Sequence, residues 1–224
     1  SLWCANEIMV ADSESTNNTV AIARGFTSRV LVRPWPGYIA QKNFAAEQAA
    51  HDWIFSLDAD ERVSPALAGE IAAVMQSGPA PAVYRVPRVT FHLGRWIRST
   101  DWYPDFQLRL YDRRRGRWAG RYVHESVQAD GPVSDLRGEL LHYAYRDLAH
   151  HFQTMDRYTT LAARQMYEDG RRAGWIDLAM HPPAAFLRNY VLRGGFRDGV
   201  PGLIVSGMNA RYVGLKFGKL WGLC

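Results

Sequence analysis

The chain reads as an α/β protein: a mostly parallel sheet covered by helices, a mixed or antiparallel second half, and a C-terminal helical appendage. Three observations carry that reading. Short apolar runs alternate with helical stretches over the first 75 residues, which is the pattern of a parallel sheet with crossover helices. Apolar/polar alternation then takes over between Val83 and Leu141. From Asp147 onward the spacing is helical again.

Taken in order, Glu7-Ile8-Met9-Val10-Ala11-Asp12 is a short strand that ends at an aspartate before a turn rich in Ser, Thr and Asn. Thr19 to Phe26 follows as a helix, Arg29-Val30-Leu31-Val32 as a second strand closed by Pro34, and Tyr38 to Ala50 as a second helix. Trp53 to Leu57 is a third strand. It stops at Asp58-Ala59-Asp60-Glu61, three carboxylates in four residues. Pro65 to Met75 is a helix with Leu67, Ile71 and Val74 on one face and Ser64 as its N-cap. In the second half, Val83 to Phe91, Gln107 to Tyr111, Tyr122 to Val127 and Leu136 to Leu141 alternate as half-exposed strands do, with Arg113 to Gly116 as a hairpin turn. A helix is expected from Asp147 to about Tyr167, with Phe152, Met155, Tyr158, Thr159, Ala162 and Met166 in one stripe. Residues 182–222 interleave apolar and basic residues, and Gly194-Gly195 and the run Gly199 to Gly202 are expected to break the helix there. The division expected is residues 1–146 as an α/β domain and 147–224 as a helical region. An acidic strand end such as Asp12 usually follows an earlier strand and helix, so a βα unit of about 30 residues is expected to precede this sequence.

Composition narrows the function classes. With 224 residues, 47% of them hydrophobic, there is material for a sizeable core. No run reaches the roughly 18 consecutive apolar residues of a membrane-spanning helix. Cys4 and Cys224 stand at opposite ends, which argues against a disulfide framework or a cysteine metal site. The formal charge of +5 points to an anionic partner: nucleotide phosphates, an acidic membrane surface or nucleic acid. The basic residues follow no strand-tracking pattern, and the carboxylate cluster would repel a phosphate backbone, so a nucleic-acid partner is not expected.

The chemistry concentrates at strand ends, where open α/β sheets bind ligands. Two carboxylates spaced Asp-x-Asp, Asp58 and Asp60, can turn together toward Mg²⁺ or Mn²⁺, which then keeps positions open for substrate phosphate. The alternative is an acidic turn with a helix cap. Asp12 either hydrogen-bonds a nucleotide's base or ribose or caps the next helix. Lys42, within Gln41-Lys42-Asn43, either reaches a diphosphate or lies on a solvated helix face. His124 is a candidate third ligand, and the adjacent Glu125 a general base or an orienting group. Asp105, set among Trp102, Tyr103 and Phe106, is a second candidate base. The 186–221 segment is either core helix or a monotopic surface for anionic lipid.

Together these pieces resemble a known family. Asp12-Ser13-Glu14-Ser15-Thr16 resembles the DSGST turn of inverting family 2 glycosyltransferases, which have the GT-A-type, Rossmann-like fold. Gln41 to Ala45 and Asp52 to Glu61 look like that family's donor and metal region. Asp105 to Tyr111, Val123-His124-Glu125 and Arg193-Gly194-Gly195-Phe196-Arg197-Asp198-Gly199 are similar to its bacterial lipopolysaccharide core β-1,4-glucosyltransferases. The resemblance implies a metal-dependent, inverting transfer of a hexose, glucose from UDP-glucose, to a lipid-linked core saccharide. Asp12, Ser13, Ser15, Lys42 and Asp58 would contact the donor. Asp58, Asp60 and His124 would hold the divalent metal, and Glu125 or Asp105 would be the base. It further implies an enzyme in the cytoplasm, peripheral on the inner face of the bacterial inner membrane. A different surface polysaccharide or a polyprenyl-linked sugar as acceptor stays open. Glu14 departs from the family's turn, which has Gly there, and the family's first strand is not in this sequence.

Overall fold

A computed structural model describes residues 2–79, 83–120 and 125–224. The chain forms two compact units. One comprises Ser1–Pro87 with Phe106–Leu140, the other Arg88–Asp105 with Leu141–Cys224.

The first unit opens with β1 (Val10–Asp12), α1 (Thr19–Arg24), β2 (Val30–Val32) and α2 (Tyr38–Gln48). β1 and β2 pair in parallel, with Val10 opposite Val30, and the crossover between them is a helix, as parallel pairing requires. Next come β3 (Trp53–Phe55), β4 (Glu61–Val63) and α3 (Pro65–Ser77). Ser64 caps α3 by accepting a hydrogen bond from the Leu67 N–H at 3.2 Å, with Pro65 at the first helical position. The chain continues through β5 (Val83–His92), β6 (Arg95–Ile97), β7 (Asp105–Asp112), β8 (Gly116–Ala119), β9 (Ser126–Ala129), β10 (Val133–Asp135) and β11 (Leu140–His142). The main sheet has the order β3-β7-β5-β11-β4, with β10 and β6 also on β5. β3 lies antiparallel to β7, and β8 and β9 form a separate hairpin, so the second half is mixed as its alternation predicts.

α3 carries the core of this unit. Leu67, Ala68 and Ile71 pack on Val63, Tyr84, Val86, Leu110, Leu136 and Leu140. Burial of Leu67 or Ile71 is worth about 1.5–3 kcal/mol each. The 136–139 segment lies directly on α3: Glu70 accepts hydrogen bonds from the Arg137 and Gly138 N–H groups, both at 2.8 Å. Gly138 is required there, because a Cβ would stand 2.3 Å from the Leu67 Cα.

The second unit holds α4 (Leu148–Glu168), α5 (Trp175–Leu187) and α6 (Gly199–Gly222). Asp147 caps α4 through the His150 N–H. The buried stripe of α4 is His151, Met155, Thr159, Ala162 and Ala163, so the expected stripe is rotated and Phe152 stays exposed. Of the expected breakers Gly199 to Gly202, Gly199 opens α6 at φ +63°, and the correction concerns Gly202, which lies inside the helix. Gly202 serves close packing, since a Cβ on it would meet the Gly195 carbonyl at 1.8 Å. α5 runs on into the wide turn Arg188–Leu192, and the break follows at the expected Gly194-Gly195, where Gly194 is left-handed and the short 3₁₀ turn Gly195–Asp198 begins. Among the described residues no helix is long and apolar enough to cross a membrane.

Candidate active site

The acidic end of β3 is held by two cations. Asp58 Oδ1 accepts from the Lys42 Nζ of α2 at 2.9 Å, and its Oδ2 accepts from Arg109 Nη2 of β7 at 2.8 Å. Burial pushes the Asp58 carboxyl up, but Arg109 and Lys42 outweigh it and bring it down to about 2. Asp58 is therefore ionised at any working pH. Lys42 is not on a solvated face: its ammonium sits 4.0 Å over the Trp118 ring. The neighbouring Asn43 fixes that ring by exchanging two hydrogen bonds, both 2.9 Å, with the Trp118 backbone. Each residue of Gln41-Lys42-Asn43 thus faces inward, and Gln41 is buried as well.

Arg109 is the member that the sequence reading assigned no role. It is 2% exposed in its side chain and bonds Glu61, whose side chain is 0% exposed, at 2.6 Å. Glu61 in turn accepts from the Asp58 N–H at 3.0 Å, which closes the turn around the Asp-x-Asp pair. An ionic triad of Asp58, Arg109 and Glu61 therefore shapes the strand end. The signal for it was present in the sequence: Arg109 alternates in register with Gln107 and Tyr111, so an inward Tyr111 demands an inward arginine. Two nitrogens of Arg109 and the amide oxygen and nitrogen of the Gln41 side chain are buried with no hydrogen-bond partner among the described residues.

Asp60 is exposed at the tip of the same turn. Glu125 is half-buried, and its carboxyl is raised by burial, opposed by Lys42 and reinforced by Asp58. That field places Glu125 with Lys42 and Asp58 in one electrostatic cluster. His124 lies outside the described residues. Asp105 belongs to the second unit, where Arg88 Nε and Nη2 bond its Oδ2 at 2.9 and 2.6 Å. Its carboxylate is thus engaged by a guanidinium.

At the end of β1, Asp12 is buried and accepts from the Ser15 N–H at 2.9 Å and the Ser15 hydroxyl at 2.7 Å. These two bonds lower its carboxyl below the usual range. Asp12 therefore organises its own turn, with Ser13 half-buried beside it. Glu14 adopts φ +58°, the left-handed conformation a glycine would take without cost. The turn keeps a glycine geometry on a glutamate, at a strain of about 1–3 kcal/mol.

The donor set suits a hard divalent ion held by few protein oxygens. Both Asp58 oxygens already face cations, and among the described residues no group of three His, Cys, Asp or Glu side chains is arranged to hold a metal.

One strand end of this α/β unit thus gathers the ionised Asp58, Lys42 and the half-buried Glu125. Comparison with known proteins gives the class. The sequence profile for "Glycosyl transferase family 2" matches residues 2–129. The chain is similar to the lipopolysaccharide core biosynthesis glycosyltransferase LpsC of Rhizobium meliloti (strain 1021), at 33% identity over 97% of this chain and 83% of that protein. It is also similar to uncharacterized glycosyltransferases of Rickettsia felis and Rickettsia bellii, each 28% identical over 96% of this chain and 80% and 77% of theirs. The chain belongs to glycosyltransferase family 2. The mixed α/β architecture with its C-terminal helices is in keeping with the GT-A fold expected for that family.

Proposed function

We propose that this protein transfers a hexose, glucose from UDP-glucose, with inversion onto a lipopolysaccharide core saccharide or a related lipid-linked acceptor. The observation that carries the reading is the cluster of Lys42, Asp58 and Glu125 beside the exposed Asp60. The similarity to LpsC, a lipopolysaccharide core biosynthesis glycosyltransferase, supports the acceptor class.

Displacing a nucleoside diphosphate from an anomeric carbon builds negative charge on the leaving group. A Mg²⁺ or Mn²⁺ ion on Asp60, with Asp58 and His124 as further ligands, would neutralise that charge as a Lewis acid. Lys42 supplies a fixed positive charge at the same strand end. Asp12, Ser13 and Ser15 present the turn that meets the nucleoside. Glu125 takes the proton of the acceptor hydroxyl. Its desolvation makes it a stronger base than an exposed carboxylate, which suits that task. Asp105 is the less suited base, since Arg88 already holds its carboxylate. The basic, aromatic C-terminal helices would rest on the anionic inner face of the inner membrane, where a lipid-linked acceptor is reached.

Donor-dependent thermal stabilisation tests the reading. UDP-glucose with Mn²⁺ is expected to raise the midpoint above that seen with GDP- or ADP-sugars, and Asp60→Asn to abolish the Mn²⁺ dependence. Equal stabilisation by every nucleotide sugar, or an Asp60→Asn protein still responding to Mn²⁺, would refute it.

A further inference from the structure

The turn between α5 and α6 carries the residues Arg193 to Gly199, none of them among the candidate donor, metal or base residues. Its side chains are set out in an unusual way. Leu192 is 80% exposed and Phe196 54%, with Val191 also exposed. They line an open groove of about 610 Å³ together with Arg98, Arg193, Arg197, Tyr103 and Pro104. A mobile loop could expose such residues by default, but this one is held on a rigid frame. Asp198 is 4% exposed and accepts from the Arg98 N–H at 3.0 Å and the Ser99 hydroxyl at 2.5 Å, while its carbonyl accepts from Arg95. Asn189, fully buried, accepts from the Asp101 N–H at 2.7 Å and from Asn209 at 2.8 Å, and donates to Asp101 and to the Ala185 carbonyl. Thr100, at φ +62°, donates its N–H to the Arg193 carbonyl. Gly195 packs so closely on α6 that a Cβ would stand 2.7 Å from the Ser206 hydroxyl.

The charges are one-sided. Among the described residues Arg95, Arg188, Arg193 and Arg197 stand beside two carboxylates, Asp101 and Asp198. Asp198 is consumed inside the frame, and Asp101 is shared between Arg188, Asn189 and Arg193. Strained backbone, a saturated buried polar network and two close-packed glycines all fix an exposed apolar knob with surplus arginine beside it. Such an expense of structure on exposed apolar side chains is what a binding surface shows and a solvated loop does not.

We infer that the 191–197 turn is a clasp for anionic phospholipid: Val191, Leu192 and Phe196 enter the acyl boundary of the bilayer, and Arg193 and Arg197 meet lipid phosphate. The inference rests on the membrane-surface reading above and narrows it to one turn. A bilayer of acidic headgroups is the occupant that matches both halves of the surface, since it offers phosphate and hydrocarbon within one side-chain length.

Co-sedimentation of the full chain with vesicles tests it. Vesicles of phosphatidylcholine mixed with phosphatidylglycerol are expected to bind the protein, and phosphatidylcholine alone to bind it far more weakly. Arg193→Gln with Arg197→Gln should weaken binding by about fivefold per arginine removed. Leu192→Ser with Phe196→Ser should weaken it at least about tenfold. A charge-matched control, Arg164→Gln with Arg171→Gln on exposed positions, should change it by less than about twofold. Unchanged circular dichroism would establish that each variant folds. The clasp is overturned if the control weakens binding as much as the 193/197 pair, or if the Leu192/Phe196 variant binds like the parent. A parent that binds no vesicle overturns the clasp and the membrane surface together. UDP-glucose stabilisation, measured on the same proteins, is expected to be equal in all of them, so a failure of the transferase reading shows there and not in the vesicle result.

Discussion

Replacing Arg109 with methionine is the sharpest test of how the site is built. Met fills much of the same volume, so the packing loss is small. The electrostatic loss is not. Glu61, 0% exposed, loses its guanidinium partner, and Asp58 retains Lys42 alone. Breaking a buried ion pair from one side costs about 3–5 kcal/mol, because the charge left behind is uncompensated. For a chain of this size that corresponds to a fall in Tm of roughly 6–20 °C. Glu61→Gln alone should cost less, since Gln can still accept from the Asp58 N–H and Arg109 keeps Asp58. The double variant, Arg109→Met with Glu61→Gln, should be more stable than the sum of the two losses by at least about 2 kcal/mol. Urea unfolding followed by tryptophan fluorescence measures all three. A loss below about 1 kcal/mol for Arg109→Met, or simple additivity in the double variant, would show that the triad does not organise the strand end.

Glu125→Gln should lower turnover by about 10²–10⁴ while leaving UDP-glucose stabilisation in place, because it removes the proton acceptor and not the donor contacts; steady-state kinetics alongside thermal shift checks both. Gly138→Ala should destabilise by about 3 kcal/mol or more, since the added methyl would stand 2.3 Å from the Leu67 Cα and neither backbone can retreat; thermal unfolding measures it. His151 should give the second unit an acid limb. Burial, then His92 and His150, bring it down to about 4, whereas an unfolded histidine titrates near 6.5. Its folded pKa is depressed, so the stability it contributes is complete above about 6.5 and is lost as pH falls toward 4, by at most about 3 kcal/mol. His151→Phe should flatten that limb between about pH 7 and pH 5, and an unchanged slope would place the titration elsewhere.

The alternation of β1, α1, β2, α2 and β3, the Ser64 cap of α3 and the shift to alternating strands after Val83 were legible without coordinates. Each is a local pattern, in which period and capping chemistry act over a few residues. The Asp-x-Asp turn was legible for the same reason, because carboxylates that end an apolar strand stand out in sequence. β4 was not, since Glu61-Arg62-Val63 has no apolar run. Glu61 is buried there because Arg109, 48 residues away, neutralises it. The boundaries of α6 were misread because a glycine reads as a breaker locally, while Gly202 answers a contact with Gly195 that exists only after folding.

Sequence alone determined the residue types at the strand ends, and through them the family and the class of reaction. Only the tertiary structure decided their states. It drives Asp58 down by bringing Lys42 and Arg109 to one carboxylate, and raises Glu125 by burying it in the same field. It engages Asp105 with Arg88 and shows that Asp12 organises its own turn. Charge and burial depend on neighbours distant along the chain, so no local pattern could have assigned those roles.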